Sequence, residues 1–433
     1  MLFKSKLNVL GMVLSSINAH KIQLMVCVLG LSGFLQIASA ACDLNATTAN
    51  FSSQLAAAAP GQSVCLASGN YGNFAGVQKS SPGITITPQP GAAVTIRLQF
   101  RQTTPVAAWL TFDGVTIAGG DISGPANNLT FKNSTFTDKI NLWQGANNNG
   151  CSNCPAMNNN NIVFDNDVFN MAANLSGANG YEGRINLLGG GDATDAGITI
   201  KNSKFTLGCA DGVQVDSGGR GVTIGPNNEF YNITQGTCGP HVDSIQFVGS
   251  DSPGPTITGN YFHDNTTGIV GYDDSNNATI TNNVVARIQQ DAIWLSGFGK
   301  QTVAEHNTII NGQMSCGYTH QSNICTAIIR NNIVASFSAA GGSLGPGGSQ
   351  PSYFDYNLCY SGTCTMGSNP PGAHSLSGTP TYVGGATPST YSGFALTPGS
   401  LGSNAGSDGR DIGINTSDAY KPSQPTSLTA SGH

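Results

Sequence analysis

The chain has 433 residues, of which 39% are hydrophobic and only 9% are charged, and its formal net charge is −6. Because Lys and Arg together number 17, the sequence offers no basic surface of the kind that binds nucleic acid. The scarcity of charged residues also excludes long exposed helices and coiled coils, while the apolar content argues against intrinsic disorder.

Residues 1–40 have the pattern of a secretory signal peptide. Three lysines precede an apolar run over residues 22–37, and Ala38-Ser39-Ala40 follows as a cleavage site. The run is shorter than the ~20 residues of a transmembrane helix. We therefore expect a secreted protein, extracellular or periplasmic, with no membrane contact after cleavage. An uncleaved anchor and a lipoprotein remain alternatives.

All of the 11 cysteines except Cys27 follow the predicted signal peptide. Their even number after cleavage indicates structural disulfides in an exported chain. Neighbours in sequence suggest the pairs Cys42–Cys65, Cys209–Cys238, Cys316–Cys325, Cys359–Cys364 and Cys151–Cys154. A redox or zinc site is the alternative for the last of these pairs.

One short pattern recurs from residue 128 to residue 359: a strand rich in Val, Ile and Thr, then asparagine and a closing apolar residue. Examples are NLTFKNSTF (128–136), NIVFDNDVF (161–169) and PTITGNYF (255–262). The base period is about 24 residues, and each period holds further short alternating strands. These features exclude helical repeats and predict an all-β fold, a right-handed parallel β-helix solenoid.

Asparagine recurs at one turn position of this pattern, at residues 260, 283, 307, 332 and 357. Asparagine tolerates the left-handed backbone conformation, and stacked asparagine side chains can hydrogen-bond as an amide ladder. We expect both properties at these residues.

The repeat resembles that of the pectate-lyase-like β-helix superfamily, over about residues 105–360. Residues 56–74 resemble the opening segment of such proteins, where a short helix forms an N-terminal cap, and residues 407–415 resemble their last turn. Superfamily members include lyases, hydrolases, epimerases and non-enzymatic adhesins, so the fold does not determine the function. The expected divisions are a signal peptide (1–40), an N-terminal cap and first coils (41–104), β-helix repeats (105–360), C-terminal coils and cap (361–419) and a flexible tail (420–433).

The second strands of successive coils align over 138–142, 183–187, 211–215, 243–247, 267–271 and 291–295. The third position is always Ile or Val and should face the core, so the second and fourth positions are expected to face outward. Small residues at the second position would leave a groove: Gly212, Ser244, Gly268 and Ala292.

Neutral amides and aromatic rings occupy the fourth position of these strands and the positions after it, and they suit a glycan. The candidate substrate-binding residues are Asn141, Trp143, Asn186, Gln214, Gln246, Tyr272 and Trp294. An amide ladder that only stabilises the solenoid is the alternative.

Lys139 and Arg184 share the second position in successive coils, which would place them about 5 Å apart. Elimination from a uronate needs a base for the C5 proton and a cation that stabilises the charge developing on the carboxylate. The pair is similar to the Lys and Arg of alginate and dermatan lyases with this fold, and this resemblance implies catalytic roles. Two solvated cations are the alternative.

A second candidate catalytic site lies within residues 209–247. Asp211 and Asp243 begin neighbouring strands, and adjacent carboxylates raise one pKa, as a general acid requires. Asp216 would join them in a hydrolase. His241 could instead abstract a proton, as a His-Asp pair does in alginate epimerases. Aspartates that only cap turns are the alternative.

No metal site is predicted and no cofactor is required, although aspartates in turns leave calcium open. The full signatures of polygalacturonase-like hydrolases and of pectate lyases are absent from the sequence. We predict a secreted monomer that acts on an extracellular polysaccharide, as a lyase or epimerase of uronate-containing glycans. A glycoside hydrolase with paired aspartates and a non-catalytic glycan-binding solenoid are the alternatives.

Overall fold

The computed structural model describes residues 42–100, 107–123, 125–144, 159–171, 183–189, 197–216, 219–236, 241–248, 253–272, 277–295, 302–316, 327–338, 353–367 and 370–416. The predicted signal peptide, the Cys151–Cys154 pair and the tail 420–433 lie outside these ranges. Within them the chain forms one α-helix, Phe51–Ala57, one 3-10 helix, Tyr391–Phe394, and short strands. No helix of the described ranges is long and apolar enough to cross a membrane.

The strands form three faces, and the strands within each face are parallel to one another. Each coil contributes strands to the faces in the same order. Face 1 consists of Leu44–Ala46, Ser63–Leu66, Ile84–Pro88, Ala108–Asp113, Asn127–Lys132, Asn160–Asp165, Thr199–Lys201, Thr223–Ile224, Thr256–Thr258, Thr279–Thr281, Val303–Glu305, Ile328–Arg330 and Tyr353–Asp355. Face 2 consists of Thr135–Phe136, Val168–Asn170, Lys204–Thr206, Glu229–Tyr231, Tyr261–His263, Val284–Ala286, Thr308–Ile310, Ile333–Val334, Leu358–Cys359 and Leu376–Ser377. Face 3 consists of Ile140–Gln144, Ile185–Gly189, Val213–Val215, Asp243–Val248, Thr267–Tyr272, Ile293–Leu295, Gln313–Cys316 and Ser336–Ser338.

Three longer strands precede the separation of faces 2 and 3: Gly69–Phe74, Val94–Phe100 and Thr116–Ile122. The last of them pairs with the first strand of face 2 through its beginning and with the first strand of face 3 through its end. This arrangement of strands is the predicted parallel β-helix.

Inward side chains of successive coils stack on one another in the core. The rings of Phe136, Phe169, Phe205, Phe230 and Phe262 are fully buried and form a column with centroids 4.4 to 4.7 Å apart. Burial of one such ring contributes about 2–3 kcal/mol, so this column is a major source of cohesion between coils.

The predicted asparagine ladder is present at the bend between faces 1 and 2. Nδ2 of Asn260 donates to Oδ1 of Asn283 at 3.0 Å, and the same step repeats along the column at 3.0 to 3.1 Å. The prediction of a left-handed backbone at these residues was wrong. The residue before each takes that conformation, as at Asn282 (φ 55°) and Asn331 (φ 58°), because the ladder residue itself must turn its amide into the core.

Leu376–Ser377 is the last described strand of the stack, and residues 379–416 do not continue it. They lie along the outer surface of face 2. The hydroxyl of Tyr391 donates to the carbonyl oxygen of Asn282 at 2.7 Å, and the backbone N–H of Asn415 donates to Oδ1 of Asn282 at 2.7 Å. Phe394 packs in an apolar cluster on this surface.

The helix Phe51–Ala57 packs against the first coils through Phe51 and Leu55, which lie one turn apart and are both buried. The ring of Phe51 lies 5.3 Å from that of Phe74.

The structure confirms one of the predicted disulfide pairs. Cys359 and Cys364 form the predicted disulfide. Cys42, Cys65, Cys209 and Cys316 are disulfide-bonded as well.

Candidate functional site

Face 3 has the register that the sequence alignment predicts. Ile140 pairs with Ile185, Ile185 with Val213, and Val213 with Ile245. Ile269 continues this column, and all of these side chains are fully buried. Equivalent positions can therefore be compared from coil to coil.

In five of the six coils the second position of the strand does not face outward, which corrects the prediction there; the exception is the half-buried Lys139. Arg184, Ser244 and Ala292 are fully buried. A Cβ atom on Gly212 would collide with the carbonyl oxygen of Ser244, and one on Gly268 with that of Ala292. The chain bends where each strand begins, so these side chains point at the neighbouring coil. The small residues allow the coils to pack and do not open a groove.

Arg184 is consequently not a surface cation beside Lys139. Its guanidinium donates to the carbonyl oxygens of Leu207 and Ala210, and to that of Asp211 at 3.1 Å. Burial lowers the pKa of Arg184 to about 10, and the charge of Asp211 opposes this shift. The side chain holds the turn that leads into Asp211.

The first amides of the fourth position bond to each other. Nδ2 of Asn186 donates to Oδ1 of Asn141 at 2.8 Å, and Nδ2 of Asn141 donates to Asp121 at 2.9 Å. Asn186 is fully buried. In this part of face 3 the amides form the stabilising ladder. Gln214, the next residue of the column, is half-buried.

The centre of face 3 brings together a His–Asp cluster, formed by Asp211, His241, Asp243 and Gln246. The backbone N–H of Asp243 donates to Oδ1 of Asp211 at 2.8 Å, and Nδ1 of His241 lies 3.0 Å from Oδ2 of Asp243. The side-chain nitrogen of Gln246 donates to Oδ2 of Asp243 (3.1 Å) and of Asp211 (3.3 Å). Gln246, predicted to bind substrate, therefore bridges two carboxylates.

The His–Asp cluster is exposed at one end only. The side chain of His241 is 57% exposed, whereas that of Asp243 is 2% exposed, and Asp211 is 4% exposed. Burial, followed by the negative charge of Asp243, raises the pKa of Asp211 to about 7. The backbone N–H of Asp243 and the charges of His241 and Arg184 oppose this shift. The raised pKa favours the protonated form of the buried Asp211 carboxyl behind the imidazole.

Aromatic rings continue from the cluster over the next two coils. The ring centroids of His241 and Tyr272 are 5.6 Å apart, and the ring of Trp294 meets Tyr272 edge-on at 5.1 Å. Tyr272 and Trp294 are half-buried, and the buried indole nitrogen of Trp294 has no hydrogen-bond partner in the described part of the chain. Trp143 lies three strands from Asp243 in face 3, so only two of the three predicted aromatic residues lie near the imidazole.

The remaining predicted catalytic residues are Lys139 and Asp216. Lys139 is half-buried and precedes a strand three steps from that of Asp243, a separation of about 14 Å at the usual strand spacing. Asp216 is half-buried, and its backbone N–H donates to the carbonyl oxygen of Leu187 at 2.9 Å.

Among the described residues, no group of three or more His, Cys, Asp or Glu side chains is arranged to hold a metal ion. The sequence-based candidates for calcium, Asp192, Asp195, Asp273 and Asp274, lie outside the described ranges.

Comparisons with known proteins bear on the fold. Residues 184–352 match the family described as a right handed beta helix region. A search of curated proteins found no match. Similar solved structures include a mannuronic acid specific polysaccharide family 6 lyase from human gut microbiota, with 12% identity over 69% of this chain and 86% of that chain, and a TM-score of 0.44.

Two further structures are similar in the same sense. The family 6 polysaccharide lyase Pedsa3628 from Pseudopedobacter saltans has 14% identity over 82% of this chain and 99% of its own, with a TM-score of 0.38. The alginate lyase AlyF-OU02 has 14% identity over 82% of this chain and 90% of its own, with a TM-score of 0.46. The parallel strand pairing and the family match show that the protein is a right-handed parallel β-helix.

Proposed function

We propose that this protein is a polysaccharide-active enzyme that transfers the C5 proton of a uronate, as a lyase or an epimerase. One observation carries the proposal: His241 is an exposed imidazole that is backed by two buried carboxylates. An exposed group that can accept a proton, held by a buried partner, is what general base catalysis requires.

Asp243 orients the imidazole for this role. Its carboxylate lies 3.0 Å from Nδ1 of His241, so it accepts a hydrogen bond from Nδ1–H, and this tautomer has its lone pair on Nε2. Gln246 in turn donates to this carboxylate, and Asp211 accepts a hydrogen bond from the backbone N–H of Asp243. The proton on Asp211 limits the negative charge of the cluster, which lowers the repulsion of a uronate carboxylate.

Tyr272 is the second proton-carrying group at this site. In an elimination, Nε2 of His241 takes the C5 proton, the bond from C4 to the glycosidic oxygen breaks, and a C4–C5 double bond forms. The departing oxygen takes a proton from the Tyr272 hydroxyl. In an epimerisation, that hydroxyl would instead deliver a proton to the opposite face of C5. Trp294 offers a ring on which a neighbouring sugar unit can stack.

The second candidate function is glycoside hydrolysis by Asp211 and Asp243, which the raised pKa of Asp211 favours. Both carboxylates are almost fully buried, so the geometry supports this alternative less well than a role for the exposed imidazole. The proposal includes secretion, which the disulfide bonds support, and a monomeric state. It requires no cofactor and leaves calcium open.

Product analysis of residues 41–433 tests these alternatives. The substrates are alginate, pectate, glycosaminoglycans and neutral glycans. Ultraviolet absorbance of an unsaturated product would identify a lyase, and solvent deuterium at C5 without cleavage would identify an epimerase. Reducing ends without ultraviolet absorbance would overturn the proposal in favour of a hydrolase. Binding of a glycan with none of these reactions would indicate a non-catalytic, glycan-binding solenoid.

A further inference from the structure

A concave site lies between the outer surface of face 2 and the C-terminal segment 379–416. This cavity has a volume of about 610 Å³, within the roughly 300–1,000 Å³ that is typical of ligand sites. Ile310 and Asn311 belong to its solenoid wall, and residues 379–389 contribute most of the opposite wall.

The walls of this cavity combine apolar rings with available polar groups. Tyr360, Tyr382 and Phe394 supply the rings. The described part of the chain supplies no hydrogen-bond partner for the side chains of four other lining residues, Asn311, Thr379, Thr387 and Ser389. A ligand with both an apolar face and several hydroxyl groups would match this lining.

The described part of the cavity carries no net charge that would favour an anionic ligand. Arg287 is the one charged side chain among the described lining residues. Its Nε and Nη2 donate to the two carboxylate oxygens of Asp264 at 2.7 and 2.9 Å. Hydrogen bonding to Arg287 lowers the pKa of Asp264 to about 2, so the pair stays ionised and internally neutralised.

We infer that this cavity binds a neutral saccharide. A pyranose ring presents C–H groups on its faces, which pack on aromatic rings, and hydroxyl groups at its edge, which pair with the Thr, Ser and Asn side chains. The inference does not depend on the chemistry of face 3, because the two sites share no residue. A saccharide bound here would contact both the solenoid and the C-terminal segment.

Calorimetric titration of residues 41–433 with cellohexaose, maltohexaose and xylohexaose tests the inference, with an oligogalacturonate as the charged control. Ala386 lines the cavity from an exposed position, so Ala386→Trp would fill it and Ala386→Ser is the matched control. At least one neutral hexasaccharide should bind the wild type and Ala386→Ser, and should bind Ala386→Trp at least about tenfold more weakly, or about 1.4 kcal/mol.

Three results would overturn the inference: no neutral saccharide binds, Ala386→Trp binds as well as Ala386→Ser, or indole binds while the saccharides do not. Asn311→Asp is a second variant for the case that Ala386→Trp loosens the segment. Its backbone is left-handed (φ 56°), which Asp tolerates, and the added charge should weaken saccharide binding. His241→Ala should bind as the wild type does, which separates this site from the proposed function.

Discussion

Two regions of face 3 have equivalent strands but differ in whether their polar side chains are buried or exposed. In the first, around Ile140–Gln144 and Ile185–Gly189, Asn141 and Asn186 bond to each other and Arg184 bonds to backbone carbonyls. In the second, around Asp243–Val248, two buried carboxylates lie behind an exposed imidazole. The first region uses its polar groups to hold coils together, and the second leaves one of them accessible.

The difference shows that the position of a residue in a column does not establish its accessibility. Arg184 stands in the column of Lys139 yet turns inward at the bend, while His241 stands outside any strand and is exposed. The two regions therefore differ in what removal of a charged group should do, and the following experiments test that difference.

The largest effect is expected at the exposed end of the second region. His241→Ala should lower the rate of the C5 proton transfer about 10²- to 10⁴-fold, because it removes the general base. His374→Ala is the matched control: His374 is 58% exposed and its Nδ1 lies 2.8 Å from a carboxylate oxygen of Asp355, outside face 3. Equal loss of activity in both variants would contradict the assignment.

In the first region, the expected loss is of stability. Arg184→Met leaves the buried carbonyl oxygen of Ala210 and the partly buried one of Leu207 without this donor, which should cost roughly 3 kcal/mol of unfolding free energy. Lys139→Met should cost less than about 1 kcal/mol and should keep at least half of the activity. Denaturant unfolding and initial rates check both. A Lys139→Met protein that is stable but inactive would indicate that Lys139, in the first region, is a catalytic residue.

The pH dependence of the unfolding free energy tests whether the buried carboxyl groups are protonated in the folded protein. Burial raises the pKa of Asp211 to about 7 and that of Asp167 to about 8, from 3.8 in the unfolded chain. The folded protein thus binds more protons between about pH 4 and pH 7, so its unfolding free energy should fall as pH rises through this window. The slope is at most about 1.4 kcal/mol per pH unit for each group.

Asparagine substitutions separate the two groups. Asp211→Asn and Asp167→Asn should each remove one part of the slope, as denaturant unfolding at several pH values would show. Only Asp211→Asn should also reduce activity, because Asp167 accepts hydrogen bonds within the bend between faces 1 and 2. An unchanged slope in Asp211→Asn would mean that this carboxyl is ionised in the folded protein.

A smaller loss of rate than that of His241→Ala is expected at Tyr272. Tyr272→Phe keeps the ring beside His241 and removes the hydroxyl, so we expect about a tenfold loss of rate, or about 1.4 kcal/mol in the barrier. Binding of the substrate, measured by titration of the inactive His241→Ala background, should not change. A fully active Tyr272→Phe protein would place the second proton donor elsewhere.

The fold was predictable because its signal repeats. Ile and Val at the third position of each second strand are buried in register, and the asparagine column forms the expected ladder. Each of these features recurs in the next coil, so an ambiguous strand in one coil can be assigned from the matching positions in the neighbouring coils.

The site was predictable only in part. The proximity of Asp211, Asp243 and His241 follows from strand register, and the structure brings them together. The burial of Arg184 does not follow from alternation, because the chain bends at that point. The cavity under residues 379–389 was missed, since that segment has no period; its aromatic and hydroxyl residues were the available signal.

The C-terminal segment has a consequence for cooperativity. In a simple solenoid each coil touches only its neighbours, so stability is a sum of nearest-neighbour terms and the ends can fray independently. Here Asn415 bonds to Asn282, 133 residues earlier, and Leu396 and Ile412 pack with Ile333 and Leu358. A single stretch of chain thus contacts several coils at once, and the coils from Asn282 to Leu358 should unfold together as one cooperative unit.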